Sequence, residues 1–407
     1  MNLRENYLYI GMDLHKDTHT AVLVNCWNEK LETIVIENKP SDFIKLAIKV
    51  NKKAMTLNLS PIYGLENAYG YGRGLTVWLI ENGYAVKDVN PALAYDQRKS
   101  FPTYLKNDEY DALCVATVLI NQLHKLPNAK SEDNYWTLAQ LVNRRDTLVN
   151  NGIILKNGLH EQVSKAYPSY RKFFCEVDRK TALYFWKTYP SPKYLKNKTA
   201  EELYAEFKTI AANVYLHKSQ FILDCVNTDG DTHRNFQDSR DFITQSLVRD
   251  LEYHIIELAQ IEQEIEKMLK TFDMKLTTLP GVGTAFASKM IAEIGDIRRF
   301  RNADKLARFA GIAPVRFSSA GKGKEQSSKQ GNRTLHSVFY FLAVSMVCCQ
   351  KGKPNYPVFY DYFCRKISEG KTKAQALVCI MRRLVNIVYG MMKNGTEYRP
   401  FIAENME

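Results

Sequence analysis

A chain of 407 residues with 45% hydrophobic and 25% charged side chains has the composition of a soluble globular protein and is long for a single core, so two or three domains are expected. No apolar run reaches the 18 or so residues of a membrane span, and the N-terminus, Met1-Asn-Leu-Arg-Glu-Asn6, enters a strand without a signal-peptide pattern. The eight cysteines are scattered with no C-x-x-C pair, which excludes a disulfide scaffold and reads as reduced thiols in a cytosolic compartment. The net charge of +12 is unevenly placed: residues 273–407 hold 22 basic and 10 acidic side chains, so the whole excess lies in the last third. A polyanion partner there is the natural inference, with a solvated basic face as the alternative.

The first 130 residues alternate strand and helix signals. Runs 7–14, 18–25 and 30–38 are β-rich with tight connections, and Val22, Val24, Ile34 and Ile36 supply β-branched residues for an antiparallel meander. A helix is expected from Ser41, a good N-cap, to about Met55. The strand 61–66, a helix near 71–82 and the strand 84–89 follow. Asn90-Pro91 then breaks the chain before a helix from Asp108 to Leu123. Three antiparallel strands and then β-α-β-α is the order of a ribonuclease-H-like domain.

Residues 131–272 are mostly helical. One long helix is expected over 133–166. Residues 190–240 read as mixed helix and loop, broken at Pro190, Pro192 and Asp229-Gly-Asp231. In the second long helix Leu247, Leu251, His254, Leu258, Ile261, Ile265 and Met268 step by 4-3-4-3-4-3, a heptad stripe that favours a two-helix coiled coil. Two partners remain open: a second copy of the chain, making this a dimerisation arm, or helix 133–166 of the same chain. His254 on the stripe reads as a tolerated polar core residue.

Residues 273–407 form a third region. Leu279-Pro-Gly-Val-Gly283 is a tight turn before the helix 284–294, the helix-hairpin-helix pattern. Gly281 and Gly283 would let the backbone approach a nucleic-acid phosphate, and the helix N-terminus offers free N–H groups. A structural turn could use the same glycines. Residues 316–324 read as a flexible Ser/Gly/Lys stretch, followed by Gly331-Asn-Arg333 and an apolar helix 334–349 that would bury Cys348 and Cys349.

Four acids fall where a metal-dependent nuclease fold needs them. Asp13 and Glu66 end two apolar strands, while Asp108 and Asp111, three apart, share one face of a helix start. Carboxylates that converge repel one another unless divalent cations sit between them, and magnesium favours such hard oxygen ligands. Two such ions can activate an attacking oxygen and stabilise a leaving one in phosphodiester chemistry. Asp17, in a turn, and Glu109, off the shared face, are neighbours without that role. His15 and His19 have the i, i+4 spacing of helical zinc ligands but lie on a strand and turn, so they are read as surface histidines. Near Ser318 and Ser319, Lys322, Lys324, Lys329 and Arg333 could neutralise a phosphate. Composition alone makes that stretch a loop, because serine is inert without an activating base or metal.

Two motif sets carry a further reading. The first is Ile10-Gly-Met-Asp-Leu-His-Lys16, Gly64-Leu-Glu66, Val89-Asn-Pro91 and Lys106-Asn-Asp-x-x-Asp-Ala112. The second is Leu279-Pro-Gly-Val-Gly283, Glu293-Ile-Gly-Asp296, Phe300-x-x-Ala-Asp-Lys-Leu306, Ala310-Gly-Ile-Ala-Pro314, Ser318-Ser319 and Ser328-Lys-x-Gly-Asn-Arg333. In this order, over the first and last thirds, the chain resembles the insertion sequence 110 family, the DEDD transposases. The resemblance implies a RuvC-like nuclease domain over 1–130, a helical coiled-coil connector with an inserted region over 131–272, and a C-terminal transposase domain over 273–407. It implies that Asp13, Glu66, Asp108 and Asp111 hold magnesium and that a serine of the last domain joins covalently to DNA. The family's Ser-Gly step falls on Ser319-Ala320, which makes Ser319 the expected nucleophile and Ser318 the fallback. It implies as partners the DNA of element ends and target, and a structured noncoding RNA encoded by the element.

The expectation is therefore a prokaryotic, cytoplasmic transposase, a homodimer or higher oligomer with no membrane contact. It would excise and insert a mobile element by magnesium-dependent strand exchange through a phosphoserine. The rivals are a metal-only, structure-selective nuclease of the junction-resolvase kind, which leaves no adduct, and a non-enzymatic nucleic-acid-binding adaptor.

Overall fold

The computed structural model describes residues 3–66, 70–100, 107–319, 322–326 and 330–400, with 315–319 and 322–326 described by backbone alone. It divides into two compact units, Met1–Asp133 and Asn134–Glu407.

The first unit is a mixed α/β layer structure. Strands β1 (Tyr7–Leu14), β2 (Thr18–Val24) and β3 (Lys30–Glu37) form the expected antiparallel meander. Helix α1 (Pro40–Leu57) leads to β4 (Ser60–Leu65), α2 (Arg73–Glu81) and β5 (Ala85–Asp88). The sheet order is β3-β2-β1-β4-β5, with β4 parallel to both β1 and β5. Helix α1 starts at Pro40, one residue before the expected cap: Lys39 is the extended N-cap and its side chain pairs with Glu37 without capping the helix, while Pro40 supplies the pre-set φ of a first helical position. The step Asn90-Pro91 starts a helix, α3 (Pro91–Lys99), instead of merely breaking the chain. Asn90 Oδ1 accepts from the Ala92 N–H at 2.9 Å, and Pro91 needs no N–H partner there. Helix α4 (Asp108–Gln122) closes the unit.

Period-2 alternation gives the sheet two buried faces. Leu8, Ile10 and Met12 pack with Phe43, Leu46 and Val50 of α1 and Leu75 and Leu79 of α2. Tyr9, Val22 and Ile62 pack with Ala112, Val115, Ala116 and Leu119 of α4. The helices on both faces explain why β1 is apolar at nearly every position.

The second unit is helical apart from two short hairpins. Helix α5 (Asn134–Ala166) and helix α9 (Gln237–Leu269) pair antiparallel. Arg145 holds Glu262 at 2.6 Å, Gly152 lies under His254 and Gly158 faces Leu247, so residue numbers fall on one helix as they rise on the other. The heptad stripe is thereby covered from within the chain: Leu251 and Ile265 are buried, and Ile265 shares a core with Leu138 and Val142. Between these helices α6 (Lys180–Thr188), α7 (Ala200–Ile210) and α8 (Leu216–Asp229) form a core of their own around Tyr167, Phe173, Phe185, Trp186 and Phe207. Residues 190–240 are thus more helical than their prolines suggest, and Pro192 sits harmlessly at the start of a 3-10 turn.

The rest of this unit packs α10 (Thr284–Ile294), α11 (Ala303–Phe309), α12 (Arg333–Val347), α13 (Pro357–Ser368) and α14 (Lys373–Asn394) around Met290, Phe339, Leu342 and Leu384. The stretch expected to be a flexible loop is instead a backbone-paired hairpin, β6 (Val315–Ser319) with β7 (Lys322–Gln326). Val315 and Phe317 favour extended backbone, a signal masked by the surrounding Gly and Lys. Cys348 and Cys349 are exposed, contrary to the expected burial, because α12 stops at Val347. Cys349 opens a second small hairpin, β8 (Cys349–Gln350) with β9 (Lys353–Pro354), which turns at Lys351-Gly352, both at positive φ. Among the described residues, no helix is long and apolar enough to cross a membrane.

Candidate active site

The acids of the first unit are brought together by strand register and by one close helix–strand approach. Strands β1 and β4 run parallel with Met12 opposite Leu65, so Asp13 and Glu66 are the next residues along, side by side at the ends of the central strands. Alternation puts Asp13 on the face of Gly11, and Glu66 on the face of Gly64. That face receives α4. A Cβ on Gly11 would stand 2.1 Å from the Ala112 carbonyl oxygen and 2.4 Å from the Ala116 nitrogen, so only glycine opposite alanine allows this approach. Farther along, Gly64 faces Leu119 at 3.1 Å. The first turn of α4 therefore lies over the strand ends and carries Asp108 and Asp111 to them. Asn107 caps that turn by accepting from the Tyr110 N–H at 2.7 Å, worth about 1 kcal/mol. Carboxylates in a first helical turn also gain from the helix dipole, which offsets part of their mutual repulsion.

Electrostatics record the crowding. The Asp13 carboxyl is raised above the ordinary carboxylate range, first by burial and further by Asp111 and Asp108, with His15 opposing. Glu66 is raised by burial first, with Arg98 opposing and Asp13 and Asp111 adding. Asp111 Oδ1 lies 2.8 Å from Arg98 Nε, and Asp13 Oδ2 lies 3.1 Å from His15 Nε2. Both carboxylate oxygens are nonetheless buried without a hydrogen bond, as is Arg98 Nε. These are charge contacts whose N–H directions miss the oxygens. Buried anionic oxygens without a donor, in a cluster of hard ligands, fit a divalent cation. Asp13, Asp108 and His15 offer donor atoms all within 4.8 Å of one another.

The decoys behave as expected. Glu109 turns away to Lys30 at 2.5 Å and Thr33 at 3.1 Å, and Asp17 lies in the bend between β1 and β2. His19 does not: it is fully buried, stacked over Phe43 with ring centroids 6.2 Å apart, and burial lowers its pKa. Two contributors were missed in the sequence. Arg98 is carried to Asp111 by the unexpected helix α3. His15 reaches both Asp13 and Asp108, at 3.1 and 3.4 Å, because its backbone N–H turns back to Thr18 O.

In the second unit the serine segment is placed by its backbone. Ser319 pairs with Lys322 and Ser318 with Gly323, while Ala320, Gly321 and Lys329 lie outside the described residues. The base of this hairpin is pinned where Gly311 crosses Gly331. A Cβ on Gly331 would lie 2.6 Å from the Gly311 nitrogen, one on Gly311 would lie 2.7 Å from the Gln330 carbonyl oxygen, and both glycines have positive φ. Asn332 completes the clamp. Its N–H donates to Phe309 O at 2.7 Å, its Nδ2 to Glu293 at 2.5 Å, and its Oδ1 accepts from Leu335 N as the cap of α12. Arg333 is exposed on the first turn of α12. Gly281, at φ +77, and Gly283, the uncapped N-terminus of α10, are both exposed, and a one-turn 3-10 helix (Leu276–Thr278) precedes them.

Both halves of this description have counterparts in known proteins. Residues 10–168 match the model of the DEDD transposase of IS110, and residues 273–360 match the model described as the transposase IS116/IS110/IS902 family. The chain belongs to the IS110/IS116/IS902 family of transposases. It is 26% identical over 97% of both chains to the pilin gene-inverting protein of Moraxella lacunata. It is 23% identical over 98% of both chains to a 44.8 kDa protein of insertion element IS116 from Streptomyces clavuligerus. A 43.6 kDa protein of insertion element IS110 from Streptomyces coelicolor is 24% identical over 75% of each chain. Membership implies DNA cleavage and rejoining, and the DEDD domain suggests both an RNase H-like fold and use of a divalent metal.

Proposed function

We propose that this transposase excises and inserts a mobile DNA element by magnesium-dependent strand exchange through a phosphoserine at Ser319. The observation that supports it most is the convergence of Asp13, Glu66, Asp108 and Asp111, with buried oxygens lacking donors, in a chain matching both family models. Those four acids would hold the divalent ions, which when bound would neutralise charge at the scissile phosphate and favour deprotonation of the attacking oxygen. Arg98 positions Asp111. The Ser319 Oγ forms a bond to phosphorus while the bond from phosphorus to a deoxyribose oxygen breaks, and the released oxygen is protonated. Rejoining is the reverse step with a different deoxyribose hydroxyl as attacker, so phosphodiester energy is conserved and no ATP is consumed. Lys322, Lys324, Lys329 and Arg333 offset phosphate charge, and the turn at Gly281 and Gly283 acts as a helix-hairpin-helix contact to the DNA backbone.

Three functional parts follow from this reading: 1–130 for metal-dependent cleavage, 131–272 as a coiled-coil connector, and 273–407 for the serine. A structured noncoding RNA selects donor and target DNA. The relative named for inverting a pilin gene fits an enzyme that cuts and rejoins. A homo-oligomer is supported by Ile154, Tyr253 and Ile256, each more than half exposed on the outer faces of the α5–α9 pair.

The test is a denaturing gel of stalled reactions. Wild type should give a magnesium-dependent protein–DNA adduct, and Ser319→Ala should lose it while still binding DNA and RNA. Adducts that persist at the wild-type level in Ser319→Ala and vanish in Ser318→Ala would move the nucleophile by one residue. Magnesium-dependent cuts without any adduct would replace the proposal with a metal-only nuclease.

A further inference from the structure

His15 is the nitrogen in an otherwise all-oxygen cluster. Its Nε2 stands 3.1 Å from Asp13 Oδ2 and 3.4 Å from Asp108 Oδ1. The ring is half-exposed, and the residue is held by its own N–H to Thr18 O at 3.1 Å. If this were only an ion pair, the ring N–H would aim at a carboxylate oxygen. Asp13 Oδ2 accepts no hydrogen bond despite its closeness. Neighbouring donors around an octahedral ion with bonds near 2.1 Å are separated by about 3.0 Å. The two nitrogen–oxygen distances are close to the spacing of donors that share one cation.

We propose that His15 Nε2 is a ligand of this site, alongside Asp13 and Asp108. The inference rests on the reading of the acids as the metal site. It adds a consequence that four carboxylates would not have. Magnesium takes imidazole poorly, whereas manganese(II) and later first-row ions accept nitrogen readily. The cluster therefore binds manganese more tightly than magnesium, and His15 sets that preference.

The test uses the full chain and manganese(II), with binding followed by electron paramagnetic resonance and the bound ion examined by electron spin-echo envelope modulation. Wild type should show modulation from a directly bound imidazole nitrogen. His15→Gln should lose it, with manganese affinity falling at least about tenfold, the cost of losing even an outer-shell partner. Magnesium affinity, measured by competition, should change less, and circular dichroism should show the half-exposed substitution leaving the fold intact. Manganese that binds in an Asp13-dependent way without nitrogen modulation, or with modulation surviving in His15→Gln, would overturn the role of His15 and leave the acid site standing. Manganese binding that is indifferent to Asp13→Asn would overturn both.

Discussion

The acid site and the serine hairpin are built in opposite ways. Asp13 and Glu66 end strands buried on both faces, and Asp108 and Asp111 ride a helix pressed against one of those strands through Gly11, Ala112 and Ala116. Burial holds the carboxylates in place and raises Asp13 and Glu66 in the same stroke. The hairpin holding Ser318 and Ser319 is instead a two-stranded ladder fixed at its base by the Gly311–Gly331 crossing and Asn332. A two-stranded hairpin is marginally stable by itself, so its base must set where it stands. The contrast teaches that a charged site can be positioned through the core at an electrostatic cost, whereas a neutral segment can be positioned through backbone alone.

Substitutions should separate these two designs. The largest effect is expected from Gly11→Val, whose side chain would collide with the α4 backbone. Overpacking typically costs about 1–3 kcal/mol, and here the clash is with backbone that cannot rotate away. Chemical denaturation should show the first unit destabilised by that much or more, with cleavage lost; a variant as stable as wild type would break the close-packing argument. Next, on the proposed metal-site reading, Asp13→Asn should reduce DNA cleavage by on the order of a hundredfold or more, the effect of removing a ligand worth several kcal/mol. It should also raise the melting temperature of the metal-free protein near neutral pH, because the folded state disfavours the charged Asp13. A melting temperature that falls would show that the buried carboxylate is satisfied after all.

A smaller and more selective effect is expected at the hairpin base. Gly331→Ala places a methyl group against the Gly311 backbone at a φ of +122 and should cost about 1–3 kcal/mol locally. Adduct formation should fall while DNA binding and first-unit stability are unchanged; equal losses in both units would erase the contrast. The smallest effect concerns pH. Burial lowers the His19 pKa below its ordinary 6.5, so the stability it permits is fully present above pH 6.5 and is lost as pH falls through that value toward the folded-state pKa. His19→Phe should flatten this acid-side decline in melting temperature, and an unchanged slope would assign the decline to other groups.

The candidate site was partly legible because its chemistry lies in residue type and spacing. Acids closing apolar runs, and the Asp108–Asp111 pair at a helix start, are local patterns. Strands β1 to β5, helix α4 and the long helices α5 and α9 followed from local residue pattern and periodicity. Arg98 and His15 were not legible, since Asn90-Pro91 looked like a break and nothing near His15 announces Asp108. The heptad stripe of α9 showed that a partner exists, and could not say whether the partner was α5 or another chain. The Cys348–Cys349 step looked apolar, but a turn at Lys351-Gly352 needs the chain to leave α12 just before it.

By itself the amino-acid order determined the strands of the first unit and the long helices, which side chains are acidic at strand ends and helix starts, and where the excess positive charge lies. These are consequences of short-range backbone preference and composition. Tertiary structure alone decided that the four acids meet, that Arg98 and His15 join them, that α9 is covered by α5, and that the serine segment is a clamped hairpin. Those outcomes depend on contacts between distant residues, such as Gly11 with Ala112 and Gly311 with Gly331, where the absence of one Cβ sets how closely two backbones can approach.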